Sequence, residues 1–108
     1  MSAKLDKRTF ITGMNSINSI LSNSCQLKEN ATIETYFYIL KDISNYDYEK
    51  GVLKLLKEWE YSNRTPSPAN IRSYVEKVST KVMSYEDKQL LKRINSIIVV
   101  KKGVKNND

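Results

Sequence analysis

Apolar residues recur along this chain at helical spacing. Phe10, Met14, Ile17 and Leu21 are separated by four, three and four positions, which puts them on one face of a helix over about 6–22, with Ile11 and Ile20 at its edges. The other positions are Thr, Asn and Ser, weak helix formers, so this helix is expected to depend on packing. A polar stretch over 23–29 follows, and Asn30 or Thr32 offers an N-cap for a second helix. Its face is Ile33, Tyr36, Phe37, Leu40 and Ile43; Tyr38 and Ile39 widen it, which makes it a candidate for the centre of the fold. Its aromatic and β-branched residues would also suit a strand, but spacings of three and four favour a helix.

The link Ser44-Asn45-Tyr46 is short, which predicts antiparallel neighbours. Asp47 is the expected N-cap of the third helix and Glu49 complements its N-terminus; Tyr48, Val52, Leu55, Leu56 and Trp59 form the face. Gly51 costs about 1 kcal/mol relative to Ala inside a helix, and its presence predicts a close approach by another helix. Ser62-Asn63-Arg64-Thr65-Pro66 is the strongest break. Ser67 then caps a fourth helix with Pro68 in its first turn and Ile71, Tyr74, Val75, Val78 and Val82 on its face. Ser84-Tyr85-Glu86-Asp87 reads as a capping box with Asp in place of Glu. It opens a fifth helix bearing Leu90, Leu91, Ile94, Ile97 and Ile98, unless the fourth and fifth are one long bent helix. The expectation is an all-α fold: a single small bundle of four to five helices over residues 1–100, with a short, frayed, mobile basic tail over 101–108.

Composition narrows the chemistry. The 108 residues contain no His, one Cys and three scattered glycines, Gly13, Gly51 and Gly103. That leaves no His general base, no His-paired nucleophile, no internal disulfide, no Cys-rich metal site and no Gly-rich phosphate loop, and no cofactor or metal is expected. Cys25 sits in a polar link with only Lys28 nearby, and nothing argues for its activation. Residues 1–63 balance eight Lys/Arg against eight Asp/Glu, whereas 64–108 hold ten against four, the whole net charge of +6. An acidic partner surface or a weak nucleic-acid contact would suit that half; a solvated basic face is the plainer reading. No segment is apolar enough to cross a membrane, and the residues after Lys4, Lys7 and Arg8 lack the apolar run of a signal peptide, so the expected location is the cytoplasm.

Among candidate sites, Asp42, Asp47, Glu49, Glu58 and Glu60 are the carboxylates that would have to supply any acid–base catalysis. Asp47 and Glu49 are better explained as a cap and a dipole partner, and no enzymatic activity is expected. Trp59 and Tyr48 lie on the apolar stripe; Tyr38, Tyr46 and Tyr61 lie off it, where an aromatic can anchor a partner. Lys77, Lys81, Lys88 and Lys92 would form one basic stripe on a continuous helix, continued by Arg93, Lys101, Lys102 and Lys105.

The middle of the chain runs Tyr36-Phe37-Tyr38-Ile39-Leu40-Lys41-Asp42, then Tyr48-Glu49, then an apolar helix, then Thr65-Pro66-Ser67-Pro68-Ala69-Asn70-Ile71-Arg72. This resembles the small helicase loader/inhibitor family of bacteriophages infecting Gram-positive bacteria, over residues 9 to about 76. Leu40, Asp42, Pro66, Ala69, Ile71 and Arg72 fall on that pattern; Tyr36 stands where Trp is usual, Thr65 where a first Pro is common and Asn70 where an acid is common. The resemblance implies an N-terminal helical domain with a mobile C-terminal part, no enzymatic activity, and binding to a replicative helicase. It would hold that ring-shaped ATPase inactive and help load it at an origin through a replisome organiser. A phage inhibitor of a host replication or defence protein, such as the host helicase-loader ATPase, and a non-specific DNA-binding protein are the alternatives. The residues expected to touch a partner are Arg64, Pro66 and Arg72 at the turn, and Lys88, Lys92, Arg93, Lys101, Lys102 and Lys105 toward the C-terminus.

Overall fold

Helix formation begins where the sequence offers a cap. Asp6 accepts the Thr9 amide at 2.7 Å and opens α1, Lys7–Ser19. In the computed structural model, which describes residues 4–78 and 82–106 and side chains as far as 96, α1 is followed by a short 3-10 turn at Asn23–Cys25 and by α2 (Asn30–Leu40), α3 (Asn45–Glu58), α4 (Pro68–Val78) and α5 (Tyr85–Asn106). The fold is all-α, five helices with no strand among the described residues.

α1 ends at Ser19, short of the Leu21 position of its apolar period, and the side chain of Asn18 in its last turn holds the next segment. Its amide donates to Leu27 O at 2.9 Å and accepts the Leu27 amide at 2.8 Å. α2 starts at Asn30 with Glu29 at the cap position and no side-chain cap bond, so neither Asn30 nor Thr32 caps it. α3 is capped by Ser44, whose hydroxyl accepts the Asp47 amide at 3.1 Å; Asp47 lies in the first turn instead of at the cap. Asn45 exchanges two hydrogen bonds with Asp6, at 3.0 and 2.9 Å, tying the start of α3 to the start of α1.

The centre is α3, not α2. Tyr48, Val52, Leu53 and Leu55 are buried, and α3 packs chiefly on α4 and α1. Two glycines allow this. A Cβ at Gly51 would stand 2.8 Å from Val75 Cα and 2.9 Å from its N, so the α4 backbone lies directly against α3. A Cβ at Gly13 would stand 2.5 Å from the Tyr48 ring and hydroxyl, so α1 makes room for that ring. Tyr48 is fully buried and donates its hydroxyl to Phe10 O at 2.9 Å. Around it close Phe10, Met14, Ile17, Leu40 and Ile71, whose burial supplies the main stabilisation at roughly 25 cal/mol per Å² of apolar surface. Of α2 only Tyr36 and Leu40 are buried, with Phe37 edge-on to Phe10 at 5.2 Å between centroids.

α4 opens on Ser67, whose hydroxyl accepts the Asn70 amide at 3.1 Å while Asn70 Oδ1 accepts the Ser67 amide at 2.9 Å, a capping box with Asn in the acid's place. α5 is a separate helix, capped by Ser84 Oγ on the Asp87 amide at 3.1 Å. It continues to Asn106, past the last apolar position of the sequence pattern. Of its expected core face, Leu90 is exposed and Leu91 and Ile94 are half-buried, while Ile97 and Ile98 fall among side chains outside the described residues. Val82, assigned to the α4 face, is 85% exposed beyond the helix end, and Met83 is the buried residue there.

Candidate functional site

The turn residues expected to meet a partner are mostly occupied inside the fold. Pro66 is fully buried, and its carbonyl accepts the Tyr36 hydroxyl at 2.9 Å, so its ring is not available as a contact. Arg72 donates to both oxygens of Asp42, at 2.9 and 3.2 Å, and to Ile39 O at 2.8 Å. This fork ties α4 to the C-terminal end of α2, and its hydrogen bonds hold the Asp42 carboxyl below its usual range and raise the Arg72 guanidinium. Arg64 is exposed and lies over the Tyr61 ring at 5.5 Å, while its carbonyl accepts the Trp59 indole N–H at 3.1 Å. Of the three, Arg64 alone presents a side chain that the fold does not already use to join helices.

The carboxylates are dispersed. Besides Asp42 with Arg72, Asp47 pairs with Lys50 at 3.4 Å and Glu58 with Lys54 at 2.6 Å. Glu49 is half-buried, and burial, with repulsion from Asp6, raises its carboxyl. No cluster of His, Cys, Asp or Glu able to hold a metal ion occurs among the described residues. Cys25 is half-buried, and its carbonyl accepts the Thr65 hydroxyl at 2.6 Å, a tie between the 3-10 turn and the break before α4. No helix among the described residues is long and apolar enough to cross a membrane.

Lys88, Lys92 and Arg93 are different. All three are exposed on α5, and none makes an ion pair or stands over a ring among the described residues. On α3 and α4, by contrast, Lys50, Lys54, Lys57, Arg72 and Lys77 are each committed to a carboxylate or an aromatic ring. Lys88 and Lys92 border a groove of about 420 Å³ between the start of α3 and the first turns of α5, lined also by Tyr46, Glu49, Met83, Tyr85 and Leu91. The groove's near wall is fixed, because the Tyr46 hydroxyl accepts the Met83 amide at 2.8 Å. The side chains of Lys101, Lys102 and Lys105, and residue Lys81 of the supposed continuous stripe, lie outside the described residues.

Sequence reasoning singled out Tyr46 only as an off-stripe aromatic and did not find Met83, Glu49 and Leu91 as its companions. The off-stripe position was the usable signal, since it is what leaves Tyr46 and Tyr38 exposed. The remaining groove residues come together from the start of α3, from Met83 and from the first half of α5, a meeting that no local spacing encodes. No protein-family model, no curated protein and no solved structure matches this chain.

Proposed function

We propose that this chain is a non-catalytic adaptor of the phage helicase loader/inhibitor type, which binds a replicative hexameric helicase, keeps it inactive and assists its loading at an origin. The observation that carries this reading is that the residues of the sequence resemblance, distant in the chain, meet in one knot. Leu40 and Ile71 share the core, Asp42 and Arg72 form the two-pronged pair, and Tyr36 bonds to the Pro66 carbonyl. Tyr36 stands where the resembled family has Trp, and its hydroxyl donates to a backbone carbonyl as an indole N–H also would. The pattern therefore works as one unit joining α2 to α4, and beside it α5 presents Lys88, Lys92 and Arg93 with no ion pair among the described residues.

The test is co-purification of the full chain with phage and host replicative helicases at an ionic strength of roughly 0.15 M, where exposed long-range charge effects are largely screened. A discrete complex with suppressed helicase ATPase activity is expected. Failure of both helicases to co-elute overturns the reading.

A further inference from the structure

We propose that the groove between the start of α3 and the first half of α5 is a docking site for an acidic, amphipathic helical segment of a partner protein. This inference rests on the protein-binding reading above and names the chemistry of the partner. Three observations carry it. First, the floor is apolar and partly pre-formed: Met83 is buried and pinned to Tyr46, and Leu91 lies half-buried beside it. Second, a large aromatic stands exposed at the groove's lip. Tyr85 is 75% exposed and has no ring or hydrogen-bond partner among the described residues. The other exposed tyrosines are better covered, Tyr38 by Lys41 at 4.7 Å and Tyr61 by Trp59 at 5.4 Å. An unpartnered tyrosine at the lip of an apolar groove is the composition of an interface hot spot.

Third, the charge selects the occupant. Tyr85, Lys88 and Lys92 follow one another at three and four positions along one edge of α5, and both lysines lack a carboxylate partner. A helix laid in the groove would place apolar residues over Met83 and Leu91 and carboxylates against Lys88 and Lys92. A phosphate backbone fits less well. It offers no apolar face to cover Met83 and Leu91, and the aromatic residues do not form a run of stacking platforms.

The experiment is an NMR titration of the full chain with a synthetic peptide of about four helical turns, Leu and Phe on one face and Glu on the other. The expected result is shifts confined to residues around Tyr46, Met83, Tyr85, Lys88 and Leu91, with binding weakened at least about tenfold in the folded Lys88→Glu/Lys92→Glu variant, about 1.4 kcal/mol. Tyr85→Ala is expected to weaken binding as well without touching charge. The proposal is overturned by no shifts up to millimolar peptide, by equal binding of the peptide with Lys in place of Glu, or by single-stranded DNA shifting these residues where the acidic peptide does not. Concentration-dependent self-association through this face overturns it too, since the occupant is then a second copy. Helicase co-purification separates this inference from the adaptor reading. Peptide binding without helicase binding leaves the groove standing and sinks the reading, and helicase binding unchanged in both groove variants does the reverse.

Discussion

Helices α4 and α5 each begin on a serine cap and each carry apolar residues at helical spacing, yet among the described side chains α4 is sunk into the core and the first half of α5 is not. α4 meets α3 at Gly51, where the missing side chain lets Ile71 and Val75 reach the interior. α5 meets the polar edge of α1: Leu91 and Asn95 face Thr9, Thr12 and Ser16 across a crevice of about 10 Å³, and Asn95 Oδ1 is buried there with no hydrogen-bond partner. An apolar stripe states which side of a helix would be buried. Whether it is buried depends on a partner surface with room and matching polarity, which α4 has and the first half of α5 lacks. That first half of α5 carries Lys88, Lys92 and Arg93, which make no ion pair among the described residues.

The sharpest way to break this contrast is to refill the space that admits α4. Gly51→Val puts its branched side chain against Val75 backbone, which no rotamer change relieves. It is expected to lower unfolding free energy by about 3 kcal/mol or to prevent folding, whereas Leu90→Ala on exposed α5 should cost no more than about 0.5 kcal/mol. Urea denaturation followed by circular dichroism measures both; similar losses would remove the distinction between the two helices.

A smaller effect tests the other glycine contact. Tyr48→Phe keeps the ring against Gly13 and deletes the hydroxyl bond to Phe10 O. A loss of about 1–2 kcal/mol is expected, the value of a buried hydrogen bond. Asn95→Leu acts with the opposite sign. It replaces a buried unpaired carbonyl by an apolar group in the α1–α5 crevice, and a gain of about 1 kcal/mol is expected, with slower amide exchange in the first half of α5. Faster exchange would mean that Asn95 holds α5 in place by a bond not seen here.

The same contrast explains what could be read from the sequence. The all-α bundle of four to five helices, the Ser67 and Ser84 caps, and the close approach at Gly51 were legible because each is a local signal: period, cap chemistry, or one missing side chain; the spacing leaves open whether α4 and α5 are one helix. The centrality of α3 was not. α2 has the broader apolar stripe, but Tyr38 and Ile39 turn outward, and the choice is made by Gly13 on a different helix. Pro66 and Arg72 were legible as a motif but not as buried or paired groups, because their partners Tyr36 and Asp42 lie 30 residues away. Met83 and Tyr46 meet across 37 residues of sequence, so their groove had no signature in spacing at all.

The finest test uses pH, because Asp42, paired with α4, and Glu49, on α3, shift in opposite directions. Asp42 is held low by the Arg72 hydrogen bonds, so the unfolded chain takes up its proton first as pH falls. The stability from this pair is complete above the ordinary carboxylate range near pH 4 and is lost as pH drops through the lowered folded value. Both groups are well exposed, which limits the effect to at most about 1 kcal/mol. Glu49 is raised by burial and by Asp6, so here the native state takes up the proton first, and mild acidification stabilises it. Urea midpoints between neutral pH and about pH 3 therefore contain two opposed components. Arg72→Ala should flatten the fall at the acid end, and Glu49→Gln should remove the rise on the way to it while raising stability at neutral pH. If Glu49→Gln instead lowers neutral stability, its carboxylate is a bonded part of the α3–α5 wall, and the groove beside Lys88 and Lys92 is less acid-tolerant than its burial implies.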